Sequence, residues 1–160
     1  MKKLFFTFTF LIIALLACSP LKHYRELPEV KAWQPEIEKL TALSQTEQYA
    51  QDAIVFAGSS SIRLWKTLAE DMKPYYVIQR GYGGAKLSDF AVYAEKIFND
   101  LPGRALVLFI ANDITGGEND KSPREVKKLF LSVVKEFRKE HPGAPVFWIA
   151  ITPSSSRWKA

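Results

Sequence analysis

Three short stretches of this 160-residue chain place polar residues where a reaction would need them. The first is Gly58-Ser59-Ser60-Ser61, directly after the apolar run Ala53-Ile54-Val55-Phe56-Ala57. A serine hydroxyl at a strand-to-helix junction faces the positive end of a helix dipole, which favours an attacking alkoxide or a bound anion. Serine also caps helices, so this loop taken alone reads first as a capping turn. The second stretch, Gly81-Tyr82-Gly83-Gly84-Ala85-Lys86, lets backbone N–H groups approach a ligand closely. It has neither the spacing of a P-loop nor the full Gly-x-Gly-x-x-Gly fingerprint, and it does not follow the first strand, so nucleotide binding is a minor reading. The third runs from Asn112 to Asp120, and an asparagine amide there can donate to a developing oxyanion. Asn-Asp occurs at both 112–113 and 119–120, so the dipeptide by itself is an ordinary loop feature.

These loops act together only if a common framework brings them together. Continuously apolar runs at 53–57, 75–78, 105–110 and 145–151 predict four strands buried on both faces. Helical spacing predicts helices over 36–50, 62–72 and 87–98. The clearest helix lies between the last two strands, with Val126, Leu129, Phe130, Val133, Val134 and Phe137 on one face. Ser122-Pro123-Arg124-Glu125 predicts a capping box with proline at the first helical position, and His141-Pro142-Gly143 marks the end. Strands alternating with helices predict an α/β fold of three α/β/α layers around a parallel sheet. Such sheets bind ligands beyond the carboxyl ends of their strands, which is where all three loops fall.

Taken in order, serine after strand one, glycine after strand two and asparagine after strand three resemble the first three sequence blocks of the SGNH (GDSL-like) hydrolases. Residues 54–65, Ile-Val-Phe-Ala-Gly-Ser-Ser-Ser-Ile-Arg-Leu-Trp, look like the subgroup whose first block reads Phe-x-Gly-Ser-Ser-Ser. Residues 79–84, Gln-Arg-Gly-Tyr-Gly-Gly, are similar to the family's Asn-Arg-Gly-Phe-Gly-Gly, with Gln79 in place of asparagine. Residues 154–158, Ser-Ser-Ser-Arg-Trp, look like its Ser-x-x-Arg-Trp segment, so the resemblance spans residues 50–158. It implies a flavodoxin-like SGNH fold with Ser60 as nucleophile and with Gly84 and Asn112 as oxyanion-hole donors beside the Ser60 amide. Asn112 is preferred to Asn119 because it comes straight off a strand, although Ile110 then replaces the family's glycine and the literal Gly-x-Asn-Asp string lies at 117–120. The implied reaction is hydrolysis of a small acyl ester through an acyl-enzyme, on a carbohydrate, lipid or similar carrier, with no cofactor and no metal.

The family completes its triad with a C-terminal Asp-x-x-His block, in which histidine takes the serine proton and aspartate orients it. Here the only histidines are His23, near the N-terminus, and His141, in the turn entering strand four at the far end of the strands from the loops. Neither suits a base. The expectation is therefore an incomplete domain over 32–160, lacking the family's last strand and closing helix, with strand four as an uncovered apolar edge. A serine with oxyanion donors and no base retains residual catalysis of about 10³ to 10⁴-fold over water. The alternative is a non-catalytic, lipid-anchored binding protein that keeps the pocket.

The N-terminus, Met1-Lys2-Lys3 followed by an uncharged run over 4–17, has a signal-peptide layout. Leu15-Leu16-Ala17-Cys18 resembles the bacterial lipobox, which implies cleavage before Cys18, lipidation of its sulfur and retention at a membrane in the cell envelope. Residues 18–31 then read as a tether. The net charge of +5 includes Lys2 and Lys3, and the other basic residues are interspersed with glutamates on helix faces, so nucleic acid is not an expected partner. The chain itself indicates no oligomeric state.

Overall fold

The computed structural model describes residues 21–152 and Ser155. The expected signal peptide, Cys18 and most of the Ser-x-x-Arg-Trp segment lie outside the described residues. Four strands form one parallel sheet: β1 (Ile54–Gly58), β2 (Val77–Gly81), β3 (Ala105–Phe109) and β4 (Val146–Trp148). Their spatial order is β2-β1-β3-β4, with Gly58 at the carboxyl end of β1 level with Gly81 on one side and Phe109 on the other.

Strand alternation splits the core into two faces. Val55, Ala57, Ile78, Leu106 and Leu108 point toward one helical layer, formed by α1 (Lys22–Glu26), α2 (Pro28–Lys31), α3 (Gln34–Ala42), α6 (Leu87–Phe98) and α7 (Pro123–Glu140). Phe56 points to the other face, which α4 (Ser60–Arg63) and α5 (Leu68–Asp71) cover through Ile62 and Leu68. This is the expected three-layer α/β/α arrangement. Apolar residues at helical spacing give α7 its buried stripe of Val126, Leu129, Val133, Val134 and Phe137. Burying each such side chain stabilises the fold by about 1.5–3 kcal/mol.

Several elements depart from the sequence expectation. Residues 21–31, read as the end of a tether, form α1 and α2 and pack on the domain, with Leu21 and Val30 buried. Only half of the capping box forms: the Ser122 hydroxyl accepts from the Glu125 N–H, while the Glu125 carboxylate is taken by the Tyr24 hydroxyl. The helix expected over 62–72 is two separate turns, because the Gln79 side-chain amide donates to the Ile62 and Trp65 carbonyls that a continuous helix would use. The helix expected over 36–50 stops at Ala42 and a single 3₁₀ turn, Leu43–Gln45. Beyond it Glu47 and Tyr49 turn inward to meet Arg80.

The second strand also begins later and ends later than expected, running through polar Gln79 and Arg80. Arg80 is fully buried in the sheet, and its guanidinium donates to Glu47, Tyr49, Ser44 and the Gln79 carbonyl. A buried cation is tolerated only with such partners. The outer strand β4 is short and open, with Phe147 58% and Ile149 41% exposed. Only Trp148 finds a partner ring, stacked on Phe130 of α7. Among the described residues no helix is long and apolar enough to cross a membrane.

Candidate active site

Two glycines bring the serine loop down onto the sheet. Gly58 has φ +149°, and a Cβ there would stand 2.1 Å from the Phe109 carbonyl oxygen. A Cβ on Gly81 would meet the Arg63 backbone nitrogen at 2.8 Å, so α4 rests directly on the end of β2. The three serines then separate by role. Ser59 is buried at the N-cap of α4, and its N–H donates to the Phe109 carbonyl at 3.0 Å. Ser60 opens the helix, half-buried, and no side chain among the described residues hydrogen-bonds its hydroxyl. Ser61 is exposed. Because α4 is a single turn, the dipole assistance anticipated from a longer helix reduces to that of a few local amides.

The glycine loop leaves β2 beside β1, where the Tyr82 N–H donates to the Gly58 carbonyl at 3.1 Å. Gly84 is exposed with φ +80°, a left-handed conformation for which glycine is suited. The Trp33 ring lies 3.3 Å from the position of its missing Cβ. Trp33 and Gly84 share a cavity of about 410 Å³ with Leu27, Lys86 and Lys121. Trp33 was not anticipated as part of the site, since it lies outside the three blocks.

Asn112 sits three residues beyond the end of β3 and its side-chain N–H donates to the Ala85 carbonyl at 2.8 Å, tying the third loop to the second. An amide carries two N–H donors, so one remains for a ligand. Asn119 lies exposed in a loop that the Asp120 carboxylate closes by accepting from Thr115 and Gly116. The structure thus brings Ser60, Gly84 and Asn112 to the carboxyl ends of three adjacent strands.

Beneath them lie two buried carboxylates that the sequence reading passed over. Asp89 accepts from the Tyr82 hydroxyl at 2.5 Å and, with both oxygens, from the Lys86 N–H at 3.1 Å. Burial, reinforced by the nearby Asp113 charge, raises its carboxyl to about 6. Asp113 accepts from the Leu87 N–H at 2.7 Å and faces Lys121 at 3.7 Å, and burial raises it as well. The signal for Asp113 was its place beside Asn112; Asp89 showed only as an acid in the first turn of a predicted helix.

Neither histidine stands at this site as a base. Both ring nitrogens of His141 meet backbone carbonyls, Phe137 at 3.0 Å and Leu101 at 2.8 Å, and its ring stacks on Phe137. His23 lies on α1 and lines a separate cavity with Arg124 and Lys128. Among the described residues no group of three or more His, Cys, Asp or Glu side chains could hold a metal ion.

No family model and no curated protein matches the sequence. Solved structures do match the fold. One is a Streptococcus pneumonia protein provisionally described as a platelet activating factor, with TM-score 0.61 and 16% identity, covering 79% of this chain and 60% of its own. Another is a GDSL-like lipase from Bacteroides thetaiotaomicron, with TM-score 0.59 and 14% identity, covering 76% of this chain and 63% of its own. At such identities the likeness is one of fold, consistent with the α/β architecture expected from the SGNH resemblance. The chain spans about three fifths of the length of these neighbours.

Proposed function

We propose that this chain carries the acyl-accepting half of a serine ester hydrolase. In this reading Ser60 attacks the ester carbonyl, and the Ser60 and Gly84 amides with the free Asn112 N–H receive the oxyanion. The observation that carries it is the arrival of Ser60, Gly84 and Asn112 at the ends of adjacent parallel strands, with the second and third loops joined through Asn112 and Ala85. The fold likeness to a GDSL-like lipase agrees with it. Turnover in this reading requires a His–Asp pair as base, for which neither His23 nor His141 is placed, and the substrate is a small acyl ester at the cell envelope. Lipidation at Cys18 holds the protein to the membrane through several acyl chains, which anchor firmly where one would not.

The direct test is turnover of a short-chain chromogenic ester by the protein purified from its host membrane, with Ser60→Ala alongside. Turnover that Ser60→Ala abolishes supports the reading; equal turnover in both removes Ser60 as nucleophile. The intact mass of the same preparation reads the lipid on Cys18 and any chain beyond Ala160. A second reading, a lipid-anchored binding protein, is favoured by the position of the histidines, since both His141 nitrogens are committed to carbonyls. It predicts that Ser60→Ala leaves ligand affinity intact and that neither protein turns over ester.

A further inference from the structure

The oxyanion donors of the proposed site belong to three different loops, and the glycine loop that carries Gly84 is held by side chains from outside it. Between the end of β2 and the start of α6, the backbone of three consecutive residues is gripped by side chains. The Ala85 carbonyl accepts from Asn112, the Lys86 N–H donates to Asp89, and the Leu87 N–H donates to Asp113. Asn112 and Asp113 are neighbours in the turn after β3, so that turn grips the glycine loop at two points, one on each side of Lys86. Asp89 holds the middle from within α6 and is itself held by Tyr82, whose ring stacks on Phe90.

A turn that needed only a helix cap would be served by one serine or asparagine. Here two acids are buried, close enough for the Asp113 charge to raise the proton affinity of Asp89, an arrangement that costs folding energy. We infer that Asp113, seconded by Asp89, is a positioning residue: its bond to the Leu87 N–H sets the distance between the Gly84 N–H and the free N–H of Asn112. This rests on the proposed ester-hydrolase reading for its chemistry and on the hydrogen bonds alone for its geometry. Among the described residues the groups facing the pair are Tyr82 at the end of β2, Lys86 in the loop, Tyr93 on α6, Lys121 before α7, and Tyr24 on α1, which is bonded in turn to Glu125 of α7.

The test compares wild type, Asp113→Ala, Asp113→Asn, Asp89→Asn and Ser60→Ala, each purified from the host membrane as in the esterase test, in two measurements. The first is phosphonylation of Ser60 by a short-chain fluorophosphonate, followed by intact mass between pH 5 and pH 9. Loss of the grip moves one donor by an ångström or so, for which about a 100-fold slower reaction is expected in Asp113→Ala. Asparagine keeps an acceptor for the Leu87 N–H, so Asp113→Asn should recover to within about tenfold of wild type. In wild type the rate should drop as the pH falls through about 6, where protonation of Asp89 weakens its hold on Lys86, and in Asp89→Asn the drop should be smaller. The second measurement is hydrogen exchange at the Gly84, Lys86 and Leu87 amides, which needs no reactive serine.

An Asp113→Ala protein that melts like wild type and is phosphonylated at the wild-type rate overturns the proposal. So does unaltered exchange at Leu87 in that variant, or an Asp113→Asn protein as slow as the alanine one. Should Asp113→Ala fail to fold, Asp113→Asn and the pH step of Asp89→Asn decide the matter. If wild type and Ser60→Ala label equally, the ester-hydrolase reading fails, and faster exchange at Leu87 in Asp113→Ala still upholds the grip while unchanged exchange removes it.

Discussion

The carboxyl ends of β1, β2 and β3 and the outer edge at β4 are built to different standards. At the first, polar groups of one loop are satisfied by side chains of another: Gln79 holds α4, Asn112 and Asp113 hold the glycine loop, and Gly58 admits the Phe109 carbonyl at a distance no side chain allows. At the second, a three-residue strand and the residue after it leave Phe147 and Ile149 exposed, with one backbone edge unpaired among the described residues. The contrast teaches that the geometry of the proposed site depends on β1, β2 and β3, while β4 contributes an apolar surface.

The sharpest way to break that contrast is at Gly58. Alanine there would collide with Phe109, so Gly58→Ala should cost at least about 3 kcal/mol in urea denaturation and remove reactivity at Ser60 together with stability. Full stability in that variant would mean that the close approach is dispensable. Arg80→Met should cost about 2–3 kcal/mol, because Glu47, Tyr49 and Ser44 lose their common partner, and lysine should not restore it since it cannot donate to all of them at once.

A third prediction concerns Asp89. Its folded pKa of about 6 lies above the usual carboxylate value, so the folded state binds the extra proton. The stability linked to this proton is complete below about pH 4 and is lost as the pH rises through 6. Melting should therefore occur at higher temperature at pH 5 than at pH 7.5, by an amount linked to Asp89 of about 1–3 kcal/mol, and Asp89→Asn should shrink the difference. Stability thus rises toward acid while the Ser60 reactivity foreseen above falls, and a general loosening of the fold would move both the same way. The smallest effect belongs to the edge: Phe147→Ser with Ile149→Ser should change folding stability by less than about 1 kcal/mol while reducing self-association measured by light scattering. A large loss of Ser60 reactivity in that double variant would show that the edge does support the site.

Much of the architecture was legible because hydrophobic periodicity is a property of short stretches. The helix over 87–98 and the one beginning after Ser122 appear where the pattern placed them, and all four apolar runs became strands. The errors fall where long-range partners override local preference. Gln79 and Arg80 look like loop residues until α4 and the 43–49 segment supply their hydrogen bonds. Residues 21–31 look like a tether until Leu21 and Val30 are seen against the core.

What the chain determined by itself was therefore local: which stretches are apolar enough to be strands, where helices begin, and that serine, glycine and asparagine follow successive strands. Only the tertiary structure decided which serine caps and which is presented, that α4 would be one turn long, and that Asp89 and Asp113 would share the task of holding the glycine loop. The reason is that hydrogen bonds between residues such as Asp113 and Leu87, 26 positions apart, depend on how parallel strands bring their ends together, and no short window of sequence contains both partners.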